Sequence, residues 1–391
     1  MKTVTKAATL GLLMASTLPV CAGELAFDWN LRLRHEAVDD VAFARDAQAD
    51  TARLRAAIRG SFGQRLHFLV EGEGIATAGN GYNSGANGRT AWPAITDAPG
   101  VELNQAWLGW RGPRLGATVG RQRIAWDNQR WVGNVGWRQN EQTFDALQLD
   151  ARPSAALALQ YAWLGRVHRV AGDDALDPLA RERELDTHFF HGSWSHGKQV
   201  LTGYAYLHED RDVALASTST VGLRWTGSAA TRWGWTVEAA RQRDHADNPR
   251  HFRHAYWLVE PSLLAHGVTW KLGVEHLGGD GTHALQTPLA TLHAFNGWAD
   301  KFTVTPASGL QDGWLSASGT LRALNWAAAW HDFQSDAGSL HYGSEWDVSL
   351  GHAFGERWNG LVKLANYRAD GLGQDTRKLW LQLEYAGSTP L

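Results

Sequence analysis

The sequence predicts an all-β protein: a single closed antiparallel transmembrane β-barrel of about 18 strands, with short periplasmic turns and long extracellular loops. Three observations carry this. Segments in which apolar and polar residues alternate recur along nearly the whole chain, bounded by Gly, Pro, Ser or Asn. The connections between them are short and long by turns. Tryptophan reaches 21 of 391 residues, more than a soluble core could bury with each indole N–H satisfied, whereas two bilayer interfaces give such rings a place. No apolar run approaches the roughly 20 residues that a membrane helix needs. The mean hydropathy of −0.34 fits a wall in which only every second side chain meets lipid.

Met1 to Ala22 reads as a secretory signal: Lys2 and Lys6, an apolar core from Ala7 to Val20, then small residues, with cleavage after Ala22. The barrel is then 23–391. Cys21 is the only cysteine and falls in the signal, which leaves no disulfide framework and no thiolate chemistry. A net charge of −3 excludes nucleic-acid binding by bulk charge.

In the first strand Phe27, Trp29, Leu31 and Leu33 are expected on lipid, with Asp28, Asn30, Arg32 and Arg34 in the lumen. Ala37 to Asp50 reads as an acidic loop. Arg53, Arg55 and Arg59 then alternate with Leu54, Ala56 and Ile58. After a turn at Gly63-Gln64-Arg65, Phe68 and Val70 oppose His67, Glu71 and Glu73. Ala76 to Gly100 reads as a Gly/Asn-rich loop.

Ala106, Leu108 and Trp110 share a face before the turn Gly112-Pro113-Arg114, and Leu115, Ala117 and Val119 alternate with Gly116, Thr118 and Gly120. A long polar and aromatic loop, Arg123 to Gln142, carries Arg130, Arg138, Trp126, Trp131 and Trp137. Leu147 and Leu149 open the next strand, and Leu157, Leu159, Tyr161 and Trp163 mark its successor. Gly165 to Asp186 reads as a charged loop. Hairpins follow at His196-Gly197-Lys198, Gly227-Ser228 and Leu264 to Gly267. Leu277 to Gln311 is the longest loop. Five strands complete the set; in the last, Leu379, Leu381, Leu383 and Tyr385 alternate with Lys378, Trp380, Gln382 and Glu384.

Four groups of residues invite chemistry. The arginines Arg32, Arg34, Arg53, Arg55, Arg59, Arg121 and Arg123 admit two readings. They form a basic ladder selecting carboxylate-bearing solutes, or they pair with Glu71, Glu73, Glu102 and Asp145 as a structural network. Gly79 to Gly85 lacks the Gly-Lys-Ser/Thr ending of a phosphate loop. The acidic clusters Asp39, Asp40, Asp46, Asp50 and Asp173, Asp174, Asp177 lack EF-hand spacing, and the histidines lack His-Glu-x-x-His spacing. Neither Ser217 nor Ser219 has a supporting motif beside His208. No catalytic residue, metal ligand or cofactor is expected. Phe295, Trp298 and Phe302 are too apolar for a fully wet loop, so 289–302 is expected to pack inside the mouth, with Asp300 and Lys301 near the solute path.

Several stretches together resemble the alginate-export family of outer-membrane porins. These are Asn104-Gln105-Ala106-Trp107-Leu108, Val119-Gly120-Arg121-Gln122-Arg123-Ile124, Trp137-Arg138-Gln139-Asn140 with Thr143-Phe144-Asp145-Ala146, His293 to Phe302, and Gly309-Leu310-Gln311-Asp312. The resemblance implies a lumen lined by arginines, Arg121 and Arg123 among them. It implies passage of an anionic saccharide-type solute and residence in the outer membrane of a Gram-negative bacterium. The expected partners are outer-membrane lipid and the solute, with no nucleic acid, in a monomer. The candidate pore-lining set is Arg32, Arg34, Arg53, Arg55, Arg59, Glu71, Glu73, Arg121, Arg123, Arg138, Asp300 and Lys301. Such barrels finish on an aromatic residue, whereas here Tyr385 precedes six further residues.

Overall fold

The computed structural model describes residues 23–391, so the signal assigned to 1–22 lies outside the described residues. The chain forms 18 antiparallel strands in one sheet that closes on itself. In order they are β1 (Leu25–Asp40), β2 (Ala47–Phe62), β3 (Leu66–Gly81), β4 (Gly100–Arg111), β5 (Leu115–Gln122), β6 (Thr143–Ala151), β7 (Leu157–His168), β8 (Glu182–His196) and β9 (Gln199–His208). Then come β10 (Thr218–Ala229), β11 (Trp233–Asp244), β12 (Arg253–Ala265), β13 (Val268–Leu277), β14 (Leu310–Leu321), β15 (Leu324–Gln334), β16 (His341–Phe354), β17 (Trp358–Ala369) and β18 (Thr376–Pro390). A one-turn helix, α1 (Pro178–Arg181), precedes β8. Closure is the pairing of β18 with β1, from Ala26 opposite Pro390 to Asp40 opposite Thr376. A closed wall leaves no unpaired strand edge in hydrocarbon, where an unmet N–H or C=O is costly.

The faces follow the two-residue alternation. Leu33, Leu54, Val70, Leu108, Val119, Leu223 and Leu381 are exposed on the outside, where lipid covers them. Arg34, Arg53, Glu71 and Trp380 are buried on the inside. There is no oily centre between two sheets; the buried apolar cluster is made where loops fold into the barrel, with Trp126, Trp131, Leu289 and Phe302 against Phe189, Tyr204, Tyr256 and Tyr367 of the wall.

Several expected boundaries move. The acidic loop Ala37 to Asp50 shrinks to 41–46, because β1 and β2 stay paired above the apolar band. The loop from Ala76 begins only at Tyr82, the charged loop from Gly165 becomes 169–181, and the turn expected at Gly227-Ser228 lies at 230–232. Backbone pairing in a barrel continues into polar sequence, so apolar alternation underestimates strand length. For the same reason the tail after Tyr385 is the last part of β18, not an overhang.

Candidate functional site

The lumen has two unlike halves. On β1–β3 and β18 the arginines meet carboxylates. Arg32 pairs with Glu384 at 3.3 Å, Arg34 approaches Asp97 at 3.7 Å, and Arg59 holds Asp28 at 2.6 Å. Arg53 bonds Asn30 and lies 4.0 Å from Glu384. Arg55 bonds Glu73 and lies 3.3 Å from Glu141. Arg123 reaches Glu71 at 2.6 Å and also bonds Glu141. A β-bulge where β4 passes Glu71 turns both Asn104 and Gln105 inward. There they donate to Glu71 at 2.7 and 3.0 Å, and Asn104 also to Glu141 at 2.7 Å. A bulge supplies this extra inward side chain because two residues face one on the neighbouring strand.

The loop between β5 and β6, residues 123–142, lies across this half. Its carbonyls at Trp137 and Gln139 accept from Arg34 (2.6 Å) and Arg55 (3.2 Å), and those at 136–138 from Arg32. Arg138, in the same loop, bonds Glu36 at 3.1 Å and Asp300 at 3.4 Å. Burial disfavours its charge, but Glu36, Asp97 and Asp300 outweigh this and raise its pKa. The loop goes on to the far wall, where Trp131 donates to Glu238 at 2.8 Å and stacks edge-on against Tyr256.

The longest loop, 278–309, clasps the first. Gly133 N donates to Leu289 O (2.9 Å), Thr291 N to Gln129 O (3.0 Å) and Gln142 Nε2 to Leu289 O (3.0 Å). Beyond the clasp it docks on β16–β18. Trp298 N donates to Asp347 and Ala299 N to Glu345, at 3.2 and 2.7 Å. Gly297, at φ +83°, lies so close to Glu345 that a Cβ would strike its carboxylate. His293 lies flat on Trp137, with ring centroids 4.6 Å apart, bonds Asp300 through Nδ1 at 2.7 Å, and meets Lys363 Nζ at 2.7 Å through Nε2. Burial drives the His293 imidazole down to about 3; Asp300 opposes this and Lys363 adds to it. Asp300 is held well below the usual carboxylate range despite its burial, by His293, Lys378 and Arg138. Lys301 bonds Asp40 at 2.7 Å. Segment 289–302 thus sits inside the mouth, where its aromatic content had placed it.

On β10–β15 the lumen stays open. A cavity of about 520 Å³ is bounded by Arg224, Glu260, Lys271, Trp314, Ser316 and His331 on the wall and by Phe295 and Trp298 of the loop. Its charged residues pair along the wall, Arg224 with Glu238 (2.6 Å) and Lys271 with Glu260 (3.0 Å). None of Arg224, Lys271, Glu238 and Glu260 was among the expected site residues. The alternation of β10–β13 carries their signal, as single charges and not as the arginine rows of β1 and β2.

One expected lumen residue lies elsewhere. Arg121 shares the outward face of Leu115 and Val119, opposite Ala106 and Asp145, and bonds Asp145 at 2.9 Å on the outside of the wall. Resemblance had placed it in the lumen; strict alternation places it outside. Of the carboxylates offered as partners, Glu71, Glu73 and Asp145 do hold arginines, whereas Glu102 bonds Asn140 and the Asp173 N–H instead. The tryptophans also divide: Trp163, Trp233 and Trp270 lie outward as expected, but Trp126, Trp131 and Trp380 pack in the lumen.

The periplasmic mouth is basic. Seven of its eight turns carry a Lys or Arg: Arg65, Arg114, Arg152, Lys198, Arg232, Arg322 and Arg357. All seven are exposed, and Glu356 is the sole carboxylate in those turns. Among the described residues no group of three or more His, Cys, Asp or Glu is arranged to hold a metal ion.

The whole barrel superimposes on solved outer-membrane proteins at low sequence identity. OpdK of Pseudomonas aeruginosa, solved with vanillate, aligns at a TM-score of 0.72 and 16% identity over 93% of this chain and 99% of that one. OccAB3 of Acinetobacter baumannii gives 0.73 and 11% over 93% and 99%, and OpdO of Pseudomonas aeruginosa 0.72 and 14% over 94% and 98%. No curated protein matches the sequence. The model of the alginate export family matches residues 24–275, well over half of the chain. With the closed 18-stranded wall and its loop-filled mouth, this settles the assignment: the chain belongs to the alginate export family of outer-membrane channel barrels.

Proposed function

We propose that the barrel is a passive channel for hydrophilic, anionic, saccharide-type solutes, working as a monomer without a cofactor. The observation that carries the anionic reading is the basic periplasmic mouth. Seven exposed cations against one carboxylate raise the local concentration of anions at that entrance, more so at low salt. From there the path runs past Arg59 and Arg32 on one wall and Lys271 and Arg224 on the other, then beneath Phe295 and Trp298. Serine and small residues on β14 and β15 leave room for a hydrated ring, and Trp314 offers it an apolar face. In this reading Arg34, Arg53, Arg55, Arg123 and Arg138 act mainly through the loops they hold, and Asp300 and Lys301 fix the rim of the constriction. Glu71 and Glu73 keep the arginines in place. A structural neighbour's crystal with vanillate, a small carboxylate, is in keeping with this. Closure of β18 on β1 gives a complete channel without a second copy.

The test is planar-bilayer recording with glucuronate, glucose and alginate fragments. Anion-selective reversal potentials, with glucuronate and the fragments blocking current more than glucose, are expected. Cation selectivity unchanged by R65E/R322E/R357E would end the anionic reading.

A further inference from the structure

The outside of the wall carries a second arrangement of arginines, independent of the lumen. On β11 the outward residues run Trp233, Trp235, Val237, Ala239, Arg241, Arg243. At a tilt of about 40° and a rise of about 3.4 Å per residue, Trp233 to Arg243 spans roughly 25 Å along the barrel axis, the height of the apolar band. Trp233 therefore lies at the inner interface, and Arg241 and Arg243 lie at the level of outer-leaflet headgroups. Arg253 opens β12 directly opposite Arg243.

Two like charges facing each other across a strand pair repel. Other arginines of this outer rim are neutralised within the protein, Arg121 by Asp145 at 2.9 Å, Arg211 by Asp186 at 2.6 Å and Arg166 by Glu182. Arg368 and Arg377, unpaired among the described residues, lie on different strands and do not face one another. On β11 and β12 the facing charge is not neutralised. Arg241, Arg243 and Arg253 are exposed, and among the described residues none of them makes an ion pair. Asp244, the carboxylate next in the chain, is taken up by His251 Nδ1 (3.1 Å) and the Phe252 N–H (3.2 Å). Below the three guanidiniums the wall recedes into a groove of about 940 Å³ lined outward by Val221, Leu223, Ala239, Ala255 and Trp257. Arg241 itself sits between Val221 and Ala255 in register, so the cationic end and the apolar trough are continuous.

We propose that this face is a docking site for a phosphorylated, acylated glycolipid of the outer leaflet. Its phosphate is held by Arg241, Arg243 and Arg253, and its acyl chains lie in the groove beneath. Planar guanidiniums engage phosphate through paired N–H donors. A shared phosphate turns the repulsion between Arg243 and Arg253 into a bridge. The alanines at 239 and 255 leave depth for chains that larger side chains would fill.

The experiment uses the folded full-length protein in detergent and reads binding by native mass spectrometry. The probes are bisphosphorylated lipid A, the same lipid without phosphates, and inorganic phosphate as competitor. Wild type is expected to bind the phosphorylated lipid at least about ten-fold more tightly than R241Q/R243Q/R253Q. The control R166Q/R211Q should bind like wild type. Unboiled gel mobility verifies that each variant is folded. Equal binding by the triple variant, equal binding of the dephosphorylated lipid to wild type, or displacement by equimolar inorganic phosphate would each overturn the proposal. The last would leave an anion site with no role for the groove.

Discussion

The two halves of the lumen use the same residue types to opposite ends. Around β1–β3 and β18 the arginines pair with carboxylates on the neighbouring strand, as Arg32 does with Glu384 and Arg55 with Glu73. Their remaining donors are taken up by the inserted loop, through Glu141 and the carbonyls at 136–139. Around β10–β15 the charged residues pair sideways along the wall, as Arg224 does with Glu238, and leave the middle open. A row of arginines on an inner face is therefore not in itself a solute path. What decides is whether an inserted loop also takes up the residue's remaining donors, as the 123–142 loop does for Arg32, Arg34 and Arg55.

The sharpest way to break the comparison is Glu141→Ala. This carboxylate, 1% exposed, serves Arg55 and Arg123 together, and Asn104 and Asn134 donate to it. Removing it leaves Arg55 with Glu73 alone and Arg123 with Glu71 alone and takes an acceptor from Asn104 and Asn134, so a loss of about 1–3 kcal/mol is expected, read as a lower urea midpoint in detergent. A loss under about 1 kcal/mol would mean that the filled half is not a coupled network.

Acid should loosen the long loop next. His293 stays neutral when docked, with its pKa near 3, while a released histidine titrates near 6.5. The released loop thus binds the extra proton as pH falls through that window, so docking is strongest above about 6.5 and weakens toward 3. Asp300, held low when docked, adds a further loss only below its released value of about 3.9. Protection factors across 289–302, referred to the intrinsic exchange rate at each pH, should be lower at pH 4.5 than at pH 7. Equal protection at both would remove His293 from the anchor.

Trypsin should spare Lys301, which is 15% exposed and bonded to Asp40, while cutting at exposed Arg250. Ready cleavage at Lys301 would place this loop on the rim. In the open half, Lys271→Glu should shift the reversal potential toward cations and move stability by under about 1 kcal/mol. Arg59→Ala should matter least. Its pair with Asp28 is half exposed, so a stability change below about 1 kcal/mol is expected, and a larger loss would show that solvent does not screen the pair.

Strand number, faces and the short-turn end were legible because period two is a local property. Phe27, Trp29 and Leu31 opposite Asp28, Asn30 and Arg32 needed no long-range information. The same rule applied to Val119, Gly120 and Arg121 puts Arg121 outside, although both the resemblance and its grouping with the polar-face arginines had set it in the lumen. The bulge that turns Asn104 and Gln105 to the same side breaks the rule and leaves no mark in composition. The basic mouth was readable turn by turn but acquires meaning only when closure brings the eight turns into a ring. The clasp between 129–133 and 289–291 was out of reach, since it joins loops far apart in sequence through backbone bonds, the Thr291–Gln129 side-chain bond and a close approach that only Gly133 allows. That 289–302 enters the mouth was readable, because Phe295, Trp298 and Phe302 needed cover.

The clasp also has a kinetic meaning. With Gly133 and Thr291 bonded to each other's loops, neither segment can swing out while the other stays put. Fluctuations of current through a single molecule should then arrive as whole steps shared by both, and a cross-link between positions 132 and 289 should silence them together.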